Sequence, residues 1–430
     1  MSENNWETVP LWSVARERRV TVNPSELGDR VVHYSIPAVD ATGTGQVEET
    51  DSIKSVKLRL LGSEVLVSKL NPRKSRVVIV PDSALPIVSS TEFVGLLPED
   101  PLEPRFLAYF LQSETTRQVL DSQVQSVTRS HQRVAPEDVT HLPLKMPPRQ
   151  EQRRIADFLD AETSRIDQLV QFRRKQESTL EERYFTAISE LTTPGISTAD
   201  KRRLSWPWLP EGLATMRLGY AARVQSGITV HEARAKDSSD AIYPYLRVAN
   251  VQGERVDLTE IKEITIPRHM AMRSMLRPGD VVMTEANGNP DNLGRGAVWG
   301  GEVANMVHQN HVFAIRVDRN TLIPEYLSAL LATSHGRRYF RFTSTQVGIA
   351  TTSSSKVLDF PVPVRTTSQQ AEIVREYEAL RLNSSRARSA LARQLGLLTE
   401  RRQALITAAV TGQFDVSTAS GRNVSEGVSV

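Results

Sequence analysis

The chain has 430 residues, 39% hydrophobic and 24% charged, with a formal net charge of +3 and no cysteine. These are globular values for two or so domains; disulfides, thiolate metal sites and cysteine nucleophiles are excluded, and no apolar run approaches the roughly 18 residues of a membrane span. The pI near 9.1 leans basic, yet so small a net charge does not announce nucleic acid by itself. The opening "MSENNWETVPLW" has neither a basic n-region nor an apolar h-region, so a cytoplasmic location is expected.

In chain order, residues 1–146 read as a small, strand-rich α/β (α+β) domain. Its "SEVLVS" strand runs into "KLNPRKSR", where Lys69, Arg73, Lys74 and Arg76 surround the turn-forming Asn71-Pro72. A basic strand-to-loop cluster suits phosphate positioning, and arginine also addresses guanine edges; a solvated hairpin tip is the other reading. "LEPRFLAYFLQS" from Leu102 reads as a helix, and the later "TRSHQR" offers Arg129 and Arg133, for phosphate contact or helix capping. Residues 147–192 form a spacer helix, opened by Pro147-Pro148 and stopped by "TTPG". About 40 residues at about 1.5 Å each make a rod near 60 Å, too long for the core helix of so small a domain.

A linker at 193–206 leads to a second domain at 207–366. There "YLRVANVQGE" supplies Arg247 and Asn250, "TEANGNPDNLGRG" supplies Asn287, Asn289 and Arg295, and "TSTQVGIATTSSSK" supplies Gln346. Asparagine pairs bidentately with adenine, but Asn and Gly are also ordinary turn residues. A second spacer helix is expected over 367–412, where "TSQQ" from Thr367 has capping-box spacing, followed by a small, polar, flexible tail at 413–430.

The chain repeats itself. "VTHLPLKMPPRQEQRRI" from Val139 aligns with "VLDFPVPVRTTSQQAEI" from Val357, and an offset of 218 holds without a gap from Ile155 against Ile373 to Ile188 against Ile406. "LRLLGSEVLVS" resembles "SMLRPGDVVMT", "LEPRFLAYFLQS" resembles "LIPEYLSALLAT", and "TVPLWSVA" resembles "TMRLGYAA". Ile155, Leu159, Ile166, Leu169, Leu180 and Tyr184 form one seam at helical period, and Ile373, Tyr377, Leu380, Leu391, Leu398 and Leu405 form its counterpart. Two similar units in one chain satisfy both seams by pairing their helices antiparallel about a pseudo-two-fold axis; a coiled coil that merely dimerises the protein is the alternative. Phe158, Val170, Phe172 and Phe185 widen the first seam, which points to docking of a partner's helices.

"LPLKMPPRQEQRRIADFLDAETSRIDQLV", "LLTERRQALITAAVTGQFD", "SWPWLPEGLATMRLG" and the "PGDVV" and "IPEYLSALL" landmarks resemble the specificity subunits of type I restriction-modification systems. The resemblance spans nearly the whole chain; the second unit departs from it in having "TTSQQAE" where the family pattern is led by proline. It implies two target recognition domains, each reading half of a bipartite asymmetric double-stranded DNA sequence. The helices would set the spacing and bind methyltransferase (modification) subunits, two of them, with restriction/translocase subunits also in the complex. S-adenosylmethionine would belong to the modification subunits, ATP and Mg to the restriction subunit, and none to this chain. Lengthening the rod by four residues near Gln176 should change the gap and neither half-site.

Catalytic motifs are not readable. The "GTGQVE" at Gly43 lacks the following helix, no Asn/Asp-Pro-Pro-aromatic segment occurs, and no G-x-x-x-x-G-K-[ST] is present. The chain therefore reads as non-catalytic and without a bound metal. Two alternatives remain: a bilobed scaffold that binds no DNA, and a Mg-dependent nuclease built on Asp240 with Glu260 and Lys262.

Overall fold

The computed structural model describes residues 6–124, 132–229, 238–289, 292–347 and 349–416. Packing divides the chain into two units, Met1–Arg174 with Ala392–Val430, and Lys175–Leu391. Both divisions fall inside long helices, so each unit takes part of each rod.

The first unit holds an antiparallel sheet of β1 (Ala15–Arg18), β2 (Val65–Ser68), β3 (Val77–Ile79) and β4 (Phe93–Pro98), in the order β1-β4-β2-β3. All of β2 is buried, which is why it reads as a continuous apolar run rather than an alternating one. A five-stranded sheet lies beside it in sequence, with Arg30–Tyr34 parallel to Ile87–Ser89. Helices α1 (Pro104–Gln112) and α2 (Glu114–Ser122) follow, Ser113 capping α2 by accepting from the Thr116 amide. Then comes α3, Arg149–Thr192.

The second unit repeats this plan. Its sheet contains β5 (Ala222–Ser226), β6 (Val281–Thr284), β7 (Gly296–Val298) and β8 (Val312–Val317) in the order β5-β8-β6-β7. Helices α4 (Pro324–Ala332), α5 (Ser334–Thr343) and α6 (Thr367–Val410) complete it. The turns entering β2 and β6 share one hydrogen bond to the amide three residues back: Glu64 accepts from the Leu61 amide at 2.9 Å and Asp280 from the Arg277 amide at 2.8 Å. Both carboxylates are almost wholly buried, and Arg316 pairs with Asp280 through two bonds of 2.8 and 2.6 Å. A carboxylate without water needs such partners, so the "PGD" landmark is structural.

Two further matched contacts hold the rods. Gln152, fully buried at the start of α3, accepts from the Glu103 amide and donates to the Pro147 carbonyl, both at 2.8 Å. Its counterpart Gln370 accepts from the Ile323 amide at 2.8 Å and donates to the Thr321 and Arg365 carbonyls at 2.9 Å. At the other end of each rod, Thr407 of α6 accepts from the Glu114 amide at the start of α2 (2.9 Å), and Ser189 of α3 accepts from the Ser334 amide at the start of α5 (3.0 Å). Thr407 and Ser189 are themselves 218 residues apart. Each unit thus binds the beginning of its own helix and the end of the other repeat's helix.

Within the first unit the two rod segments run antiparallel. Asp167 pairs with Arg402 at 3.2 Å, while nearer the start of α3 Phe158 meets Phe414, beyond the end of α6, at 5.6 Å. In the second unit Tyr184, Phe185, Ile188 and Leu191 cluster with Tyr377 and Leu380. The seam is not evenly buried. Ile155, Leu159, Ile166 and Leu405 enter the first unit's core, and Ile373 packs on the second unit's core. Leu180, Leu391 and Leu398 are half-buried and Leu169 is 43% exposed.

Two boundaries differ from expectation. The cap of α6 is Thr366, one residue early: its hydroxyl accepts from the Gln369 amide and the Gln369 side chain accepts from its amide, at 3.3 and 3.0 Å. This reciprocal box starts the helix without proline. Residues 413–416 are not a loose tail, since Phe414 and Val416 pack into the first unit's core; the remainder lies outside the described residues. Among those described, no helix is long and apolar enough to cross a membrane.

Candidate nucleic-acid interface

In the first unit β2 delivers the chain into a loop at 69–76, whose 3-10 turn Pro72–Lys74 sits between Asn71 and Ser75, both left-handed at φ 51° and 47°. Asparagine tolerates that conformation better than most residues. The loop is anchored on a distant segment: the Asn71 amide donates to the Gln132 carbonyl at 2.8 Å, and Leu70 bridges Arg133. Lys69 and Asn71 are half-buried, and Arg73 and Lys74 are exposed.

The second unit builds the equivalent place with strands. Beyond β6, Ala286–Asn287 pairs with Ile349–Thr351, which also pairs with Thr345–Val347. The backbones of Asn287 and Gln346 therefore stand opposite the same residue, Ala350. Asn289 is exposed next to them. In both units the loop after the central strand is tied to the segment that follows the second short helix. Candidates from separate stretches, Lys69 to Lys74 with Arg133, and Asn287 and Asn289 with Gln346, are thereby brought together.

Other candidates are spent on the fold. Arg76 is buried and bonded to both oxygens of Asp40 at 2.5 and 2.9 Å and to the Leu70 carbonyl at 3.0 Å. This guanidinium holds the Asp40 carboxyl below the usual carboxylate range. Arg133 is clamped to Glu92 by two 3.0 Å bonds, and Arg247 pairs with Glu260 at 3.3 Å. Asn250 is buried, its oxygen accepting from the Arg247 amide and its nitrogen donating to the Asp257 and Glu260 carbonyls. Arg295 lies over Gly253, where a Cβ would stand 3.2 Å from its Cδ. The glycine before it, Gly294, has φ +78° and a Cβ there would come 2.2 Å from the Phe340 ring, so close packing rather than base approach explains it. Arg129 lies outside the described residues.

Of the docking candidates, Phe158 is covered by Phe414 and Phe185 by Arg337, whose guanidinium carbon is 4.3 Å from its ring centroid. Val170 is half-buried against the first core, while Phe172 is 56% exposed. The nuclease constellation does not assemble. Asp240 faces Pro267 at one end of its hairpin and Lys262 faces Tyr245 at the other, about 17 Å away at strand rise. No group of three or more His, Cys, Asp or Glu able to hold a metal exists among the described residues.

Lys356 was not singled out by sequence, though it belongs to the same small-residue stretch as Gln346. Its ammonium reaches the Thr345 hydroxyl at 3.5 Å, beside a cavity of about 570 Å³ lined also by Trp206, Tyr339 and Phe342. The signal available was a lone lysine ending a run of Ser and Thr, which by itself is an ordinary helix start.

This is a duplicated α+β protein in which each half presents a two-loop cluster and lends the end of its long helix to the other half. No protein-family model matches it. It is 22% identical over 393 residues to the StySPI type I restriction enzyme specificity subunit of Salmonella potsdam, covering 87% of this chain and 82% of that protein. It is 21% identical over 155 residues, 35% of each chain, to a putative MjaX specificity subunit of Methanocaldococcus jannaschii. A structure solved for complex assembly and conformational transition of the type I R-M system matches with a TM-score of 0.74 at 18% identity, over 96% of this chain and 99% of that one. The HsdS subunit from Thermoanaerobacter tengcongensis matches at 0.50 and 18%, over 96% and 100%. Over most of its length the chain is therefore similar to specificity subunits of type I restriction-modification systems.

Proposed function

We propose that this chain is the sequence-specific DNA-recognition subunit of a type I restriction-modification complex, reading one half of a bipartite asymmetric target with each repeat. The observation that carries this reading is the matched loop cluster, cation-rich in the first unit (Arg73, Lys74) and amide-rich in the second (Asn287, Asn289, Gln346). Different side chains on one frame are what two different half-sites require. The rods act as spacer and as seat for two methyltransferase subunits, with restriction/translocase subunits joining them in the cytoplasm. Bond chemistry belongs to those partners, S-adenosylmethionine to the modification subunits and ATP and Mg to the restriction subunit.

Co-expression with the modification subunits, followed by mapping of methylated adenines, tests the proposal. A single bipartite motif with a constant gap is expected, and substitutions in one cluster should alter one half of it. Methylation without such a motif, or absence of any footprint in the assembled complex, would leave a bilobed scaffold as the better reading.

A further inference from the structure

At the base of each loop cluster the same backbone frame recurs. In the first unit Lys69, which follows β2, donates its amide to the carbonyl of Glu92, which precedes β4, at 2.8 Å. In the second unit Glu285, following β6, donates to His311, preceding β8, at 2.9 Å. The next bond matches as well: the Val134 amide donates to the Lys69 carbonyl at 3.2 Å, and the Thr352 amide to the Glu285 carbonyl at 3.0 Å. Glu285 is therefore the structural counterpart of Lys69, and His311 that of Glu92. The offset of 218 instead sets Lys69 against Asn287 and Glu92 against Asn310, so spacing along the chain conceals the correspondence.

One position of the frame thus carries a cation in the first unit and a carboxylate in the second. Glu285 is part-exposed and stands two residues before Asn287, with its Oε2 3.4 Å from Nδ1 of the exposed His311. Phosphate attracts lysine and repels a carboxylate, so Glu285 gains nothing from the backbone of a duplex. What a carboxylate can accept from in the major groove is a base amino group, cytosine N4 or adenine N6. Adenine sets its N7 acceptor beside N6, where it opposes the second carboxylate oxygen; cytosine has no acceptor of its own there.

This inference rests on the proposed function: we propose that Glu285 reads a cytosine amino group in the second unit's half-site, with His311 as the positioning residue that aims the carboxylate. The contact with His311 engages one oxygen, and the other is the acceptor for N4. With its proton on Nδ1, His311 holds Oε2 and offsets the repulsion between the carboxylate and nearby phosphates.

The test uses the complex assembled with modification subunits and its mapped target, with binding read by fluorescence anisotropy on duplexes varied one base pair at a time. A specified C·G pair is expected in the second unit's half-site. The wild type should prefer that cytosine over 2-pyrimidinone, which lacks the amino group, by about fivefold to a hundredfold. Glu285→Ala should bring this ratio close to one and leave discrimination in the first half-site intact. Glu285→Gln should shift the preference at that pair towards A·T, because a carboxamide suits adenine. His311→Ala should lower discrimination at the same pair, and His311→Gln, which keeps a donor, should restore part of it. A half-site without a fixed C·G pair, a wild type indifferent to 2-pyrimidinone, or a Glu285→Ala complex that keeps the preference overturns this inference and leaves the proposed function standing. Absence of any bipartite target overturns both.

Discussion

Replacing either buried glutamine at a rod start gives a sharp test of how the helices are held. In Gln152→Leu the Glu103 amide and the Pro147 carbonyl are deprived of partners that now sit at 2.8 Å. At about 1–3 kcal/mol for each orphaned group, the cost is about 2–6 kcal/mol, offset by about 1 kcal/mol of added apolar burial. In a domain of about 150–250 residues each kcal/mol moves the midpoint by about 2–4 °C, so a fall of about 2–20 °C is expected in calorimetry of the full chain. Gln370→Leu orphans three groups, the Ile323 amide and the Thr321 and Arg365 carbonyls, and should cost about 1 kcal/mol more. Gln152→Glu adds a pH signature. Its ionised carboxylate puts an oxygen against the Pro147 carbonyl, whereas the protonated acid donates to it. The folded-state pKa is then raised, so stability is present at low pH and lost as pH rises through that value. Midpoint changes below about 2 °C at both positions, or a Gln152→Glu protein that weakens further on acidification to pH 5, would refute the argument.

Four further expectations follow from the same structure. Arg76→Ala should lower stability by about 2 kcal/mol, discounted because Asp40 is half-exposed, as read by urea unfolding. Arg73→Ala with Lys74→Ala should weaken DNA binding by the assembled complex, as read by fluorescence anisotropy, and reduce its salt slope by about 1 for each phosphate no longer neutralised. His335 is fully buried, accepts from the Trp208 indole at 3.0 Å and donates to the Pro361 carbonyl, and burial pushes its pKa down to about 4. Between pH 6.5 and 4 the unfolded chain takes up a proton that the folded chain refuses. Stability should therefore fall by up to about 3 kcal/mol across that window, a slope that His335→Gln should flatten in acid unfolding titrations. Four residues inserted near Gln176 should change the gap in the methylated motif and neither half-site, as mapped by methylation sequencing; an unchanged gap would count against the spacer role.

What the sequence determined by itself is whatever is local or periodic. The 218-residue repeat, the two rods and their seams follow from spacing along the chain, and so does the 69–76 loop; Asn287 and Gln346, expected in loops, stand instead in short strands that pair with Ile349–Thr351. Tertiary structure decided which of those polar residues are available. Arg76 meets Asp40 from 36 positions away and Arg133 meets Glu92 from 41, and nothing in either residue's neighbourhood marks the pairing. It also decided that the end of each repeat's helix is held by the short helix pair of the other repeat through Thr407 and Ser189, and that Leu169 and Leu397 stay wet while Ile155 and Leu405 are buried. An apolar side chain at helical period declares that it needs a neighbour; whether that neighbour lies in the same chain depends on which surfaces folding brings within reach.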